Sequence, residues 1–68
     1  MMKELVLRYR AEHDITQQEL ADRIGVTAPT IGKIEAGEMP SKLVIAKVAM
    51  LLGVSYKDLE KGEESGHV

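Results

Sequence analysis

The fold of this chain is decided by residues 15–37, which read ITQQELADRIGVTAPTIGKIEAG. Thr16 is followed three residues later by Glu19, the pair that forms a capping box at the start of a helix. Gly25 suits the left-handed backbone that ends a helix, and Thr27 is suited to cap the next one. The stretch therefore predicts two short helices joined by a tight turn.

Three further helices are predicted around this pair from caps and apolar periodicity. The first is expected over about residues 2–12, the fourth over residues 42–52 behind the cap residue Ser41, and a short fifth over about residues 56–61. Nothing alternates with a period of two, so no strands are expected. The chain is thus predicted to be all-α, with one five-helix domain at residues 1–61 and a disordered polar tail at residues 62–68.

The composition limits the class of protein. The 68 residues include no Cys, Trp or Phe, so a disulfide or thiolate zinc site is excluded and the core must be aliphatic. No apolar run approaches the roughly 20 residues of a membrane span, and the charged start lacks the apolar region of a signal peptide. We expect a soluble, cytoplasmic protein without membrane association, metal or other cofactor.

The net charge of −2 is unevenly distributed. Residues 1–59 contain eight basic and eight acidic side chains, so the predicted folded part is neutral and the excess negative charge lies at the C-terminal end. A neutral domain can bind nucleic acid through one basic face, although charge alone will not make the binding tight.

The turn at residues 25–27 determines how the two central helices are arranged. It is too short for the helices to lie flat as a hairpin, so the second helix is expected to protrude, as in a helix-turn-helix unit. A protruding helix fits the major groove of B-DNA, which is about 12 Å wide.

The same stretch resembles the phage-repressor and Cro-like family, also called XRE-like regulators. The resemblance spans roughly residues 5–60 and rests on an ordered series of motifs: ITQQELA (15–21), IGVT (24–27), TIGKIEAG (30–37), PS (40–41) and LGVS (52–55). It implies a lambda-repressor-like, five-helix DNA-binding domain with the helix-turn-helix at helices 2 and 3.

The resemblance also implies roles for individual residues. Gln17 occupies a phosphate-binding position at a helix N-terminus, where anions are favoured, and Lys33 occupies a base-reading position. Arg10 and Glu35 match a pair that forms an internal salt bridge between helices 1 and 3. The complete predicted DNA-binding set is Gln17, Gln18, Thr27, Ala28, Pro29, Thr30, Lys33 and Lys42.

Several positions depart from the family pattern. Ala36 stands where Asn is frequent, and Glu38 where a basic residue is frequent, which should weaken contacts with the DNA backbone. Ala28 and Pro29 cannot hydrogen-bond bases through their side chains, so apolar contact with thymine methyl groups is left to them. Gly32 lies inside a helix, where glycine costs up to about 1 kcal/mol relative to alanine; it either permits close approach to DNA or has no function.

The predicted fourth helix is apolar on nearly every side. Ile45, Val48, Ala49 and Leu52 form its expected core face at 100° per residue, which leaves an apolar stripe on the outer side. A small monomer cannot easily cover that stripe, although single exposed apolar residues are normal. The predicted dimer or partner surface comprises Leu43, Ala46, Met50 and Tyr56.

These features predict a sequence-specific, DNA-binding transcriptional regulator, most simply a repressor, that binds a palindromic double-stranded operator as a homodimer. No nucleophile setting or histidine cluster indicates an enzyme, and no small-molecule site is evident. The alternative is a protein-interaction module, or an antitoxin, that keeps the helix-turn-helix fold and binds DNA weakly or not at all. The neutral domain, Glu38 and the apolar stripe favour that alternative.

Overall fold

The structure, a computed structural model, describes residues 1–61. They form five α-helices: α1 (Met2–His13), α2 (Gln17–Ile24), α3 (Ala28–Glu35), α4 (Lys42–Leu52) and α5 (Tyr56–Lys61). The described residues contain no strand, so the predicted all-α, five-helix fold is confirmed. The polar tail predicted at residues 62–68 lies outside the described residues. No helix among residues 1–61 has the length and apolar character needed to cross a membrane.

The start of α2 carries the predicted capping box. The Thr16 hydroxyl accepts a hydrogen bond from the Glu19 backbone N–H at 3.0 Å, and the Glu19 carboxylate accepts one from the Thr16 backbone N–H at 2.9 Å. Both N–H groups would otherwise lack a partner in the first turn of the helix. The sequence pair therefore fixes where α2 begins.

The turn between α2 and α3 depends on Gly25. Its φ of 89° lies in the left-handed region that glycine adopts without steric cost. In this conformation the N–H groups of Gly25 and Val26 both donate to the Ala21 carbonyl oxygen, at 2.8 and 3.0 Å. Thr27 then caps α3 through its side chain, as predicted, so only two residues separate the last residue of α2 from the cap of α3.

The ends of α1 and α3 also adopt left-handed backbone. Asp14 follows α1 with a φ of 53°, the one positive φ at a non-glycine residue among those described. After α3, Gly37 has a φ of 98° and donates to the Ile34 carbonyl, while the Glu38 N–H donates to the Lys33 carbonyl. This pair of bonds is a Schellman motif, and it sends the chain away from α3 toward α4.

The core is aliphatic, and each of the five helices contributes at least one buried residue to it. α2 packs on α3 and α4, α1 packs on α3, and α5 packs on α4. Ile45, Val48 and Ala49 are buried as predicted, whereas Leu52 is only partly buried. The buried residues are Met2, Val6, Leu20, Ala21, Ile24, Ile31, Ile34, Ile45, Val48, Ala49 and Leu59.

Candidate nucleic-acid interface

One side of α3 is anchored and the other is free. Ile31 and Ile34 are fully buried and fix the helix on the core. Pro29 and Lys33 are exposed on the opposite side, together with the cap residue Thr27. Two further residues of the predicted set, Ala28 and Thr30, are half-buried. Thr27, Ala28 and Pro29 therefore lie at the N-terminal end of α3, and Lys33 lies in its last turn.

The hydroxyl groups of Thr27 and Thr30 form a local pair. Thr27 Oγ1 accepts the Thr30 backbone N–H at 3.4 Å and lies 3.0 Å from Thr30 Oγ1. One hydroxyl must donate to the other at that distance, since each carries one proton. Whichever one donates, a single hydroxyl proton remains for an acceptor outside the domain.

Gln17 lies at the first turn of α2 and contacts α3. Its Nε2 donates to Glu35 Oε1 at 2.8 Å, so one amide proton is used within the fold and the other stays available. A Cβ placed on Gly32 would lie 3.8 Å from Gln17 Oε1, which puts the amide directly beside the α3 backbone. Gln18 is exposed and donates to Asp22 within α2 at 3.0 Å.

Arg10 and Glu35 form a bidentate ion pair between α1 and α3. Arg10 Nε donates to Glu35 Oε2 at 2.7 Å and Arg10 Nη2 to Oε1 at 3.1 Å, while Nη1 donates to the Ile15 carbonyl at 3.0 Å. The side chains are 25% and 9% exposed, respectively. Hydrogen bonding by Arg10 lowers the pKa of Glu35, and burial opposes that effect. The Glu35 charge is therefore neutralised inside the fold.

A groove separates α3 from the start of α4. It has a volume of about 290 Å³ and brings Lys33 of α3 to the same depression as the α4 cap residue Ser41. Lys42 follows Ser41 and is exposed. The lining residues are Thr30, Lys33, Glu38, Met39, Pro40, Ser41 and Val44.

The charge beside this groove is weakly positive. Lys33 and Lys42 are exposed and form no ion pair within residues 1–61, and Glu38 faces the same groove as Lys33. The side chains near the groove therefore carry two positive charges (Lys33 and Lys42) and one negative charge (Glu38). Glu35 does not add to this balance because it is paired with Arg10. This is the modest electrostatic footprint expected from a neutral domain.

Comparison with known proteins identifies the family. Residues 6–59 match the model of the helix-turn-helix family, which covers all of α2, α3 and α4. The chain belongs to the helix-turn-helix family. The match is to the XRE-like branch of DNA-binding transcriptional regulators, as the motifs at residues 15–37 predict.

Several relatives of the helix-turn-helix domain share most of its length. A protein of Methanocaldococcus jannaschii, named as an uncharacterized HTH-type transcriptional regulator, is 41% identical over 59 residues, or 85% of this chain and 89% of its own. One of Methanothermobacter thermautotrophicus with the same type of name is 42% identical over 76% of this chain and 77% of its own. A Bacillus subtilis relative, also named as a regulator of this type, is 32% identical over 100% of this chain and 60% of its own. No solved structure matches significantly.

Three further side-chain interactions of the helix-turn-helix domain were not predicted. Lys47 Nζ donates to the Gly25 carbonyl at 3.2 Å and so connects α4 with the turn between α2 and α3. The Tyr9 ring stacks on the exposed His13 ring with 3.9 Å between centroids, and Arg23 donates to the Tyr9 hydroxyl at 3.1 Å. The bonds from Lys47 and Arg23 have no local sequence signal, because each joins residues at least 14 positions apart in the chain. The stack of Tyr9 on His13 lies within α1, where residues four positions apart are neighbours on the helix surface.

The predicted partner surface is exposed at two of its four residues. Leu43 is 66% and Met50 is 85% exposed, whereas Ala46 is half-buried. Tyr56 is half-buried against the core, and burial together with the nearby Glu60 carboxylate raises its pKa. Met39, which the sequence did not single out, is also 51% exposed. Of the apolar stripe predicted on α4, Leu43 and Met50 are therefore the residues that are exposed.

Proposed function

We propose that this helix-turn-helix domain binds double-stranded DNA with sequence specificity and regulates transcription, with α3 lying in the major groove. The observation that carries the proposal is the two-sided environment of α3. Ile31 and Ile34 hold the helix on the core, while Pro29 and Lys33 are exposed on its outer side. A fixed helix with a free outer face is what insertion into a groove about 12 Å wide requires.

The groups around α3 support contacts with the DNA backbone. Gln17 has one amide proton and the pair of Thr27 and Thr30 has one hydroxyl proton to offer to a phosphate oxygen. Lys42 adds a cation at the start of α4 that forms no ion pair with the described residues. Lys33 reaches from α3 toward guanine acceptors or a phosphate. Gln18 and Thr27 are exposed at the edges of this surface. Such contacts position the domain, and base specificity comes from the first turn of α3 and Lys33.

We further propose that the protein acts as a homodimer on a palindromic operator. Leu43 and Met50 are large apolar side chains that remain 66% and 85% exposed in the described chain, and a second copy would bury both. Ala46 and Tyr56 would border that contact. The half-sites would lie about 34 Å apart, one turn of the double helix. Occupation of a promoter would then repress transcription, and the protein would act in the cytoplasm without enzymatic activity.

A second candidate function is a protein-interaction module that keeps this fold, for example an antitoxin. The exposure of Leu43 and Met50 favours it, because an apolar surface of this kind also fits a different protein. Glu38 beside Lys33 favours it too, since a carboxylate at the groove repels phosphate. The two functions differ in whether the outer face of α3 binds DNA.

The deciding experiment is selection from a random duplex library, followed by titration of the enriched sequence at several salt concentrations. We expect an enriched palindrome whose affinity falls steeply with salt and is lowered by Lys33→Ala. The matched control is Lys57→Ala, which removes an exposed lysine from α5 and should leave the affinity unchanged. If no sequence is enriched at low salt, the DNA-binding proposal is wrong and the interaction module takes its place.

A further inference from the structure

The outer face of α3 carries unusually little side chain. Ala28, Pro29, Gly32 and Lys33 are spaced so that they share one face of the helix. The first three residues of this reading strip offer a methyl group, a pyrrolidine ring and no side chain at all. Only Lys33, at the end of the strip, has length and charge. The first turn of the reading strip therefore presents small apolar groups and no polar side chain.

The polar groups near this turn are already engaged. Thr27 and Thr30 bond to each other and leave one hydroxyl proton between them. The nearest amide, Gln17, donates to Glu35 at 2.8 Å. Bidentate recognition of adenine or guanine needs an amide, guanidinium or ammonium group, and Ala28, Pro29 and Gly32 carry none of these. Bases that face Ala28 and Pro29 can thus be distinguished through apolar contact alone.

The major groove displays one apolar group on its floor, the C5 methyl group of thymine. Cytosine methylated at C5 places a methyl group on the same ring atom. The two pyrimidines differ in the polar group beside it, an acceptor O4 in thymine and a donor N4 in cytosine. Side chains without donors or acceptors do not form hydrogen bonds with either group, so Ala28 and Pro29 respond mainly to the methyl group.

We infer that the first turn of α3 reads pyrimidine C5-methyl groups, and that 5-methylcytosine can replace thymine at the base pairs facing Ala28 and Pro29. This inference rests on the proposed function and adds a property to it: the affinity of the regulator responds to cytosine methylation within its operator. Burial of one methyl group corresponds to about a fourfold change in affinity. Two symmetric half-sites give about a sixteenfold change.

The test uses the full chain and the palindrome enriched by selection. Each thymine of a half-site is replaced in turn by deoxyuridine, which removes only the methyl group. We expect about a fourfold loss of affinity at one or two positions and little change elsewhere. At those positions cytosine should bind weakly, and 5-methylcytosine should restore about fourfold of the lost affinity.

Protein variants locate the effect on α3. Pro29→Ala removes two ring methylenes. It should reduce the loss of affinity caused by deoxyuridine at one position (the deoxyuridine penalty), and circular dichroism checks that the variant folds. Lys33→Ala should weaken binding to every duplex and leave the penalty unchanged. A palindrome that tolerates deoxyuridine at every position would overturn the inference while leaving the proposed function intact. Failure to enrich any palindrome would overturn both.

Discussion

Lys47 of α4 donates a hydrogen bond from its Nζ to the carbonyl oxygen of Gly25, 3.2 Å away and 22 positions earlier in the chain. Gly25 ends α2, and the last carbonyl groups of a helix have no partner within it. The ammonium group supplies such a partner and places a positive charge where the helix dipole is negative. The helix that carries Leu43 and Met50 is thereby connected to the turn that sets the direction of α3.

Replacing Lys47 by methionine should destabilise the domain while preserving most of the side-chain stem. We expect Lys47→Met to lower the free energy of unfolding by about 1 kcal/mol, because it removes both a hydrogen bond and a favourable charge. Urea denaturation measures the change. Lys57→Met is the matched control, because Lys57 is exposed and its side chain forms no hydrogen bond in the described structure. Equal effects of the two substitutions would contradict a role for the bond to Gly25.

Removal of Arg10 should have a larger effect. In Arg10→Met the Glu35 carboxylate, 9% exposed, loses its counterion and two hydrogen bonds. We expect a loss of about 2–3 kcal/mol in the free energy of unfolding, less than the roughly 3–5 kcal/mol typical of fully buried pairs, because Arg10 is partly exposed. Arg8→Met, an exposed arginine of the same helix, should change stability by less than about 0.5 kcal/mol.

The double variant Arg10→Met/Glu35→Met separates the cost of an unpaired charge from the value of the pair. Because it leaves no buried charge, it should be more stable than Arg10→Met alone. If the double variant loses as much unfolding free energy as Arg10→Met and Glu35→Met lose together, the two side chains make no mutual contribution to stability. In that case the network around Glu35 would not hold α1 and α3 together.

The same carboxylate should make stability depend on pH. Hydrogen bonding by Arg10 lowers the pKa of Glu35 below its ordinary value of 4.5, the bond from Gln17 adds to this, and burial opposes it. A lowered pKa means that the folded state favours the ionised form. Its stabilising contribution is therefore complete above pH 4.5 and is lost as the pH falls through the folded-state pKa.

Comparison with Glu35→Gln isolates this contribution. The native chain should exceed the variant in stability near neutral pH, and the difference should shrink as the pH falls below 4.5. The pKa of Glu4 is also lowered, by the amino terminus, but Glu4 is present in both proteins and its contribution cancels in the difference. Chemical denaturation at a series of pH values gives the difference directly. A difference that does not change with pH would refute the assignment.

The helices were predictable because their signals are local. Thr16 with Glu19 starts α2, and Gly25 ends it, within a window of ten residues. By contrast, the bonds from Lys47 to Gly25 and from Gln17 to Glu35 join residues 22 and 18 positions apart. Their geometry depends on how the helices pack, which no local pattern encodes.

The candidate site was predictable in part. The placement of Pro29 and Lys33 on the outer face of α3 follows from the burial of Ile31 and Ile34, whose spacing is visible in the sequence. The engagement of Gln17 with Glu35 is not visible there. Tyr56, expected at the partner surface, is half-buried because α5 packs on α4.

Gly32 offers a test in which stability and DNA binding should change in opposite directions. A Cβ at this position would lie 3.8 Å from Gln17 Oε1, an ordinary van der Waals contact, so Gly32→Ala should be accommodated. Alanine is the better helix former, and we expect the free energy of unfolding to rise by up to about 1 kcal/mol. If α3 enters the major groove along its reading strip, the added methyl group should also hold the helix away from the bases. Affinity for the selected operator should then fall, although the protein is more stable.

Ala36→Gly provides a control outside the strip, since Ala36 is exposed just after α3. It should change stability slightly and leave the affinity for the selected operator unaltered. A Gly32→Ala variant that gains stability and binds the operator as tightly as the native chain would show that the glycine has no role in DNA approach. Such a result would leave the proposed function standing but move the closest contact of α3 with DNA to another part of the helix, with Lys33 the first position to examine.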